Sequence, residues 1–88
     1  MPFDAHSILN LIAQTGGDHQ QAAQQFQSMG VDQVDPNQHA DLLQQNGIDS
    51  QQLQSGGYQQ HFDAQQDPNF QGYRPGSDFT QQQPQFQQ

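Results

Sequence analysis

The sequence predicts an all-α protein: a compact bundle of about four short helices over residues 1–57, then a largely irregular glutamine-rich tail over 58–88. Three observations carry this. Aspartates stand before helix-like runs with glutamine three places on, at Asp18/Gln21, Asp35/Gln38 and Asp49/Gln52. Such an aspartate accepts from an unpaired backbone N–H of the first turn, and the glutamine reaches back to the cap. Apolar side chains recur at helical spacing between these starts, and glycines follow the runs.

The first helix is expected over about 5–14, capped by Asp4, with Ile8, Leu11 and Ile12 on one face. Phe3 before the cap and Ile8 inside it are spaced as a hydrophobic staple, and Thr15-Gly16-Gly17 stops the run. Asp18 starts a second helix, about 19–29, carrying Ala22, Ala23, Phe26 and Met29. Gly30 ends it, with Val31 placed for the apolar contact of a Schellman stop. Asp35-Pro36 opens a third, cap and N1 proline in order, running to about Asn46 and presenting Leu42 and Leu43. Asp49 caps a fourth, with Ile48 and Leu53 as a second staple pair. Gly47-Ile48-Asp49 echoes Gly30-Val31-Asp32; two copies 17 residues apart speak for recurring helix-end chemistry more than for a duplication.

Composition changes at Gly56-Gly57. Ala64 is the sole aliphatic, Ala or Met residue beyond it, whereas Tyr58, Phe62, Phe70, Tyr73, Phe79 and Phe86 all lie there. Tyr58, Phe62 and Gln65/Gln66 fit one further short helix at 59–66. Beyond Pro68, with Pro75 and Pro84 among Gly, Gln and Asn, little regular structure is expected and the tail reads as disordered. Its rings have two open uses. They cover a core short of large side chains, or they serve as weak multivalent contacts, with Arg74 beside Tyr73 as a cation–π donor.

At 88 residues and without cysteine, the chain has no disulfide or thiolate metal site to reinforce a small core. Every acidic group is an aspartate, Arg74 is the one Lys or Arg, and the net charge is −8. That argues against nucleic acid and anionic membrane as partners, since both bind through Lys/Arg. The N-terminus has no basic region, the apolar run 8–13 is broken by Asn10, and no run approaches a membrane span. A cytoplasmic location is the expectation, with export by a route that leaves no such signal also open.

Catalysis finds little support. The serines have no nucleophile-elbow surroundings, and the aspartates read as caps and solubilising groups. His6, His19, His39 and His61 each lie within two residues of an aspartate, but no His-x-x-x-His pair sets two rings together. No catalytic, cofactor or metal site is therefore assigned. The four histidines are candidates for pH sensitivity: protonation near pH ~6.5 would halve the charge and weaken self-repulsion, a hypothesis that an unchanged oligomeric state on either side of that pH would refute.

Phe26-Gln-Ser-Met-Gly-Val31, with His39-Ala-Asp-Leu-Leu-Gln-Gln-Asn-Gly-Ile-Asp49 and Leu53, resembles the middle of a sterile alpha motif domain. The chain departs from that pattern through extra residues at 32–38, a missing aromatic at His39 and no long final helix. The resemblance implies a five-helix interaction module that self-associates.

The leading functional expectation is a small acidic, non-enzymatic protein-interaction or self-assembly module, binding a protein partner or a second copy of itself. Its expected contact residues are Phe26, Met29, Leu42, Leu43, Tyr58, Phe62, Phe70 and Tyr73. A hydrophilin-like stress protectant is the alternative that the glycine content and a mean hydropathy of −1.06 suit. A weak His/Asp metal binder comes third.

Overall fold

A computed structural model describes residues 3–73. In chain order these form β1 (Phe3–Asp4), α1 (Ala5–Gln14), α2 (His19–Met29), β2 (Gln33–Val34), α3 (Ala40–Gln45), α4 (Ser50–Ser55) and α5 (Gln59–Gln65). The protein is compact and mostly helical. The expectations for residues 74–88, with Arg74, Phe79 and Phe86 among them, lie outside the described residues.

The helix ends follow the local chemistry. Asp4, Asp18 and Asp49 have extended backbones, and each carboxylate accepts from an N–H of the first turn: His6, Gln21 and Gln51 respectively. At the far end of α2, Gly30 turns left-handed at φ 69°, a conformation a side chain would strain. That lets Val31 N–H reach Phe26 O at 2.9 Å and Gly30 N–H reach Gln27 O at 3.1 Å, the paired bonds of a Schellman stop. The same two bonds recur after α3, from Ile48 to Leu43 O and from Gly47 to Gln44 O. Val31 and Ile48 are both buried, so each stop also delivers a core side chain.

α3 is shorter than the sequence suggests, beginning at Ala40 and not at Pro36. Residues 36–39 form a turn closed by His39 N–H to Asp35 O at 2.7 Å. His39 then leaves the helical region at φ −109°, ψ 28°. Its ring explains the interruption: Nδ1 accepts from Asp35 N–H at 3.0 Å, folding the side chain back across the turn. Asp35 still acts as a cap, but to that turn. Its carboxylate accepts from Asn37 N–H at 2.9 Å, and this bond holds it below the ordinary carboxylate pKa.

The strand pair is an element the sequence does not predict. β1 and β2 are antiparallel, Phe3 opposite Val34 and Asp4 opposite Gln33, and Ala5 N–H donates to Asp32 O at 3.0 Å. These bonds tie the start of α1 to the segment after α2. Five consecutive residues of α1, Ile8 to Ile12, are buried, so the helix is covered on every side. α2 packs on it through Ala22, Ala23 and Phe26, and α5 lies against it as well. Leu42, Leu43, Ile48 and Leu53 bring α3 and α4 into the same core.

α5 matches the short helix expected at 59–66, and packing does not stop at Gly56-Gly57. Phe62 stacks on Phe3 with centroids 5.4 Å apart, Tyr58 packs against the core, and Tyr73 is 3% exposed within it. Tyr58, Phe62 and Tyr73 thus add large side chains to a core short of them, the first of the two uses left open above. If the caps act as described, Asp49→Ala costs about 1 kcal/mol and Asp49→Ser much less. Urea denaturation of both variants beside the parent checks this.

Candidate functional site

The site is assembled around the one polar side chain among the buried residues of α1. Asn10 is 3% exposed, and a carboxamide without partners there would cost about 1–3 kcal/mol. Its Nδ2 donates to Tyr73 O at 3.0 Å and its Oδ1 accepts from Tyr73 N–H at 2.8 Å. The amide thus imitates a strand neighbour, satisfying both backbone groups of a residue 63 positions away. Gly72 makes the approach feasible: a Cβ there would lie 2.5 Å from Asn10 Oδ1 and 2.5 Å from the Phe70 ring.

The Tyr73 side chain continues the contact. Its hydroxyl shares a hydrogen bond of 2.9 Å with His19 Nδ1 at the start of α2, and the two rings meet edge to face. Burial pushes the phenol pKa up, and the neighbouring Asp18 carboxylate adds to this. Burial likewise lowers the His19 imidazole, with Asp18 opposing it. A second polar seam joins α1 to α5. Gln14 Nε2 donates to His61 O, while Gln65 Nε2 donates to Ser7 O at 3.2 Å and to Gln14 Oε1 at 2.9 Å.

The expected contact residues separate into three groups. Phe26, Leu42 and Leu43 are core, as is Tyr73, so their surfaces are spent inside the molecule. Tyr58, Phe62 and Phe70 are half-buried, and Tyr58 Oη accepts the Asp49 N–H at 3.1 Å. Met29 alone of the eight is a freely exposed large side chain, at 55%. Asn10, Gly72 and Gln14 were not legible as site residues. Asn10 shows in the sequence as a break in an apolar run; on a helix covered all round, such a break signals a buried polar clamp.

The four Asp–His neighbours behave differently from one another. Asp4 and His6 are in contact at 2.7 Å. His19 turns to Tyr73, His39 to the Asp35 backbone, and His61 stacks obliquely beside Tyr58. Among the described residues no three His or Asp side chains gather as they would around a metal ion, and no helix is long and apolar enough to cross a membrane.

Among the described residues, two open grooves bear on what this surface can bind. One of about 550 Å³ runs along Ala40, Gln44, Ile48, Asp49 and Ser50. The other, about 540 Å³, lies between α2 and α3 and is lined by Gln21, Gln24, Gln25, Ser28, Gln45 and Asn46, with no charged group. Gln25 Nε2 donates to Gln45 Oε1 at 3.1 Å across its floor, and Asn46 Nδ2 donates to Gln25 Oε1 at 3.4 Å. No protein family, curated protein or solved structure matches this chain. The likeness to a sterile alpha motif accordingly rests on the residues quoted for it alone.

Removing the clamp by Asn10→Ala orphans the Tyr73 N–H and C=O and is expected to lower stability by about 2 kcal/mol in chemical denaturation. The His19 environment has a definite sign. Its folded-state pKa lies below the unfolded one, so the unfolded chain binds the proton more readily. The stabilisation is complete above pH ~6.5 and is lost as pH falls below it. Thermal melts between pH ~7.5 and ~5.5 should show a smaller fall in Tm for His19→Gln than for the parent.

Proposed function

We infer that this helical bundle is a non-enzymatic interaction module, which binds a protein partner or a second copy of itself. The observation that carries the reading is the uncharged groove between α2 and α3, with the exposed Met29 on the same helix α2. Each carboxamide there both donates and accepts, so the surface suits backbone and amide groups of another chain. On the α2 wheel Met29 sits one helical step beyond Gln25, at the flank of that amide face, where its flexible thioether supplies apolar contact. Such a pairing of an apolar anchor with a neutral polar surround is the anatomy of a protein interface.

The absence of charge from the groove has a consequence for salt. Contacts made by amides and one thioether do not rest on ion pairing, so screening has little to act upon. With −8 on the chain, screening also relieves repulsion between copies. Self-association, or capture of a partner by the full chain, should therefore persist from about 0.05 to about 0.5 M salt. Met29→Gln removes the apolar anchor without altering charge. It is expected to weaken association about tenfold in sedimentation, which corresponds to ~1.4 kcal/mol. Association abolished by salt, or unchanged by Met29→Gln, would contradict the reading.

A further inference from the structure

We propose that the face of α1 around Asn10 is a recognition site for the segment Phe70-Gln71-Gly72-Tyr73, filled here by the chain's own copy and exchangeable with the same segment of a second copy. The contact reads the segment itself. Asn10 grips the backbone N–H and C=O of Tyr73, and the approach at Gly72 leaves room for hydrogen alone. The Tyr73 ring enters the core, with its hydroxyl on His19 Nδ1. None of these bonds involves the link back to α5, so a segment arriving from another molecule makes every one of them.

The link itself is short and lightly held. After α5 the chain makes one turn, closed by Phe70 N–H to Asp67 O at 2.9 Å and by Asn69 N–H to the Asp67 carboxylate at 2.9 Å. Asp67, Pro68 and Asn69 are all exposed. Opening that turn breaks these solvent-accessible hydrogen bonds, and the first buried residue beyond it is Gly72. Exchange of an identical element between copies conserves the contacts, and its cost is this turn plus the entropy of association. The intramolecular segment has an effective concentration in the millimolar range, so docking within one chain prevails in dilute solution. This site lies apart from the α2–α3 groove, and its test is independent of Met29.

The test separates receiver from donor in the full chain. Gly72→Ala blocks its own segment, because the added Cβ meets Asn10 Oδ1, and leaves Asn10 vacant as receiver. Asn10→Leu keeps the segment and removes the receiving amide. Isotope-labelled Gly72→Ala chain is titrated with a C-terminally amidated peptide spanning Asp67–Tyr73, then with unlabelled Asn10→Leu chain. Either addition should move the Asn10 side-chain amide signals to their wild-type positions, and the second should produce a dimer-sized species. The same peptide carrying Gly72→Ala should bind at least tenfold more weakly. Asn10 signals unmoved by both additions, or moved equally by the two peptides, overturn the proposal. If Gly72→Ala loses its helical spectrum, labelled wild-type chain takes its place with peptide above the intramolecular effective concentration. Displacement is then expected at Asn10 and Tyr73, and its absence overturns the proposal.

Discussion

Everything in this small fold has to accommodate a polar group in the middle of its central helix. α1 is covered by β2, α2 and α5, and five residues in succession are withdrawn from water. Four of them gain by that burial. The fifth, Asn10, is penalised unless both ends of its carboxamide are bonded. The partner it takes is the backbone of Tyr73, which draws Gly72 and Phe70 close to α1. A requirement at one side chain thereby holds a segment 63 positions away against the central helix.

The parts legible in the sequence are those whose chemistry is local. Asp4, Asp18 and Asp49 cap helices because a short carboxylate next to a turn has N–H groups within reach. Gly30 and Gly47 stop helices because their φ is open to glycine. The third helix departs from expectation for a reason that is also local but unusual, the His39 ring reaching back to the Asp35 N–H. What escapes sequence reasoning is contact over distance. Phe3 gives the expected cap-side ring but stacks on Phe62, and the two-residue strand pair has no periodicity to announce it. Likewise, the change in composition at Gly56-Gly57 marks where aliphatic side chains give way to aromatic ones, while the core continues across it.

Glutamine in place of lysine and glutamate acquires a physical sense. Several of the links that join elements here are hydrogen bonds from side-chain amides: Gln65 to Gln14 and Ser7, Gln25 to Gln45, Gln54 to Asn37. An amide serves as donor and acceptor at once, so it pairs with backbone, with another amide or with solvent without requiring an opposite charge. The same property leaves the α2–α3 groove neutral, which is the basis for reading this surface as one that meets other chains. It also bears on the protectant alternative. A hydrated, disordered protectant needs solubility, whereas caps, paired stops and a clamped core residue serve a folded state.

The claim that Asn10 anchors the Tyr73 segment to the fold is tested most directly by hydrogen exchange at the Tyr73 amide in the native chain. Bonded to a buried carboxamide, that N–H should be protected well above the amides of Asn69 and Gln71. Its protection should approach that of the α1 amides and fall sharply in Asn10→Ala. A Tyr73 amide exchanging as fast as its exposed neighbours would contradict the account.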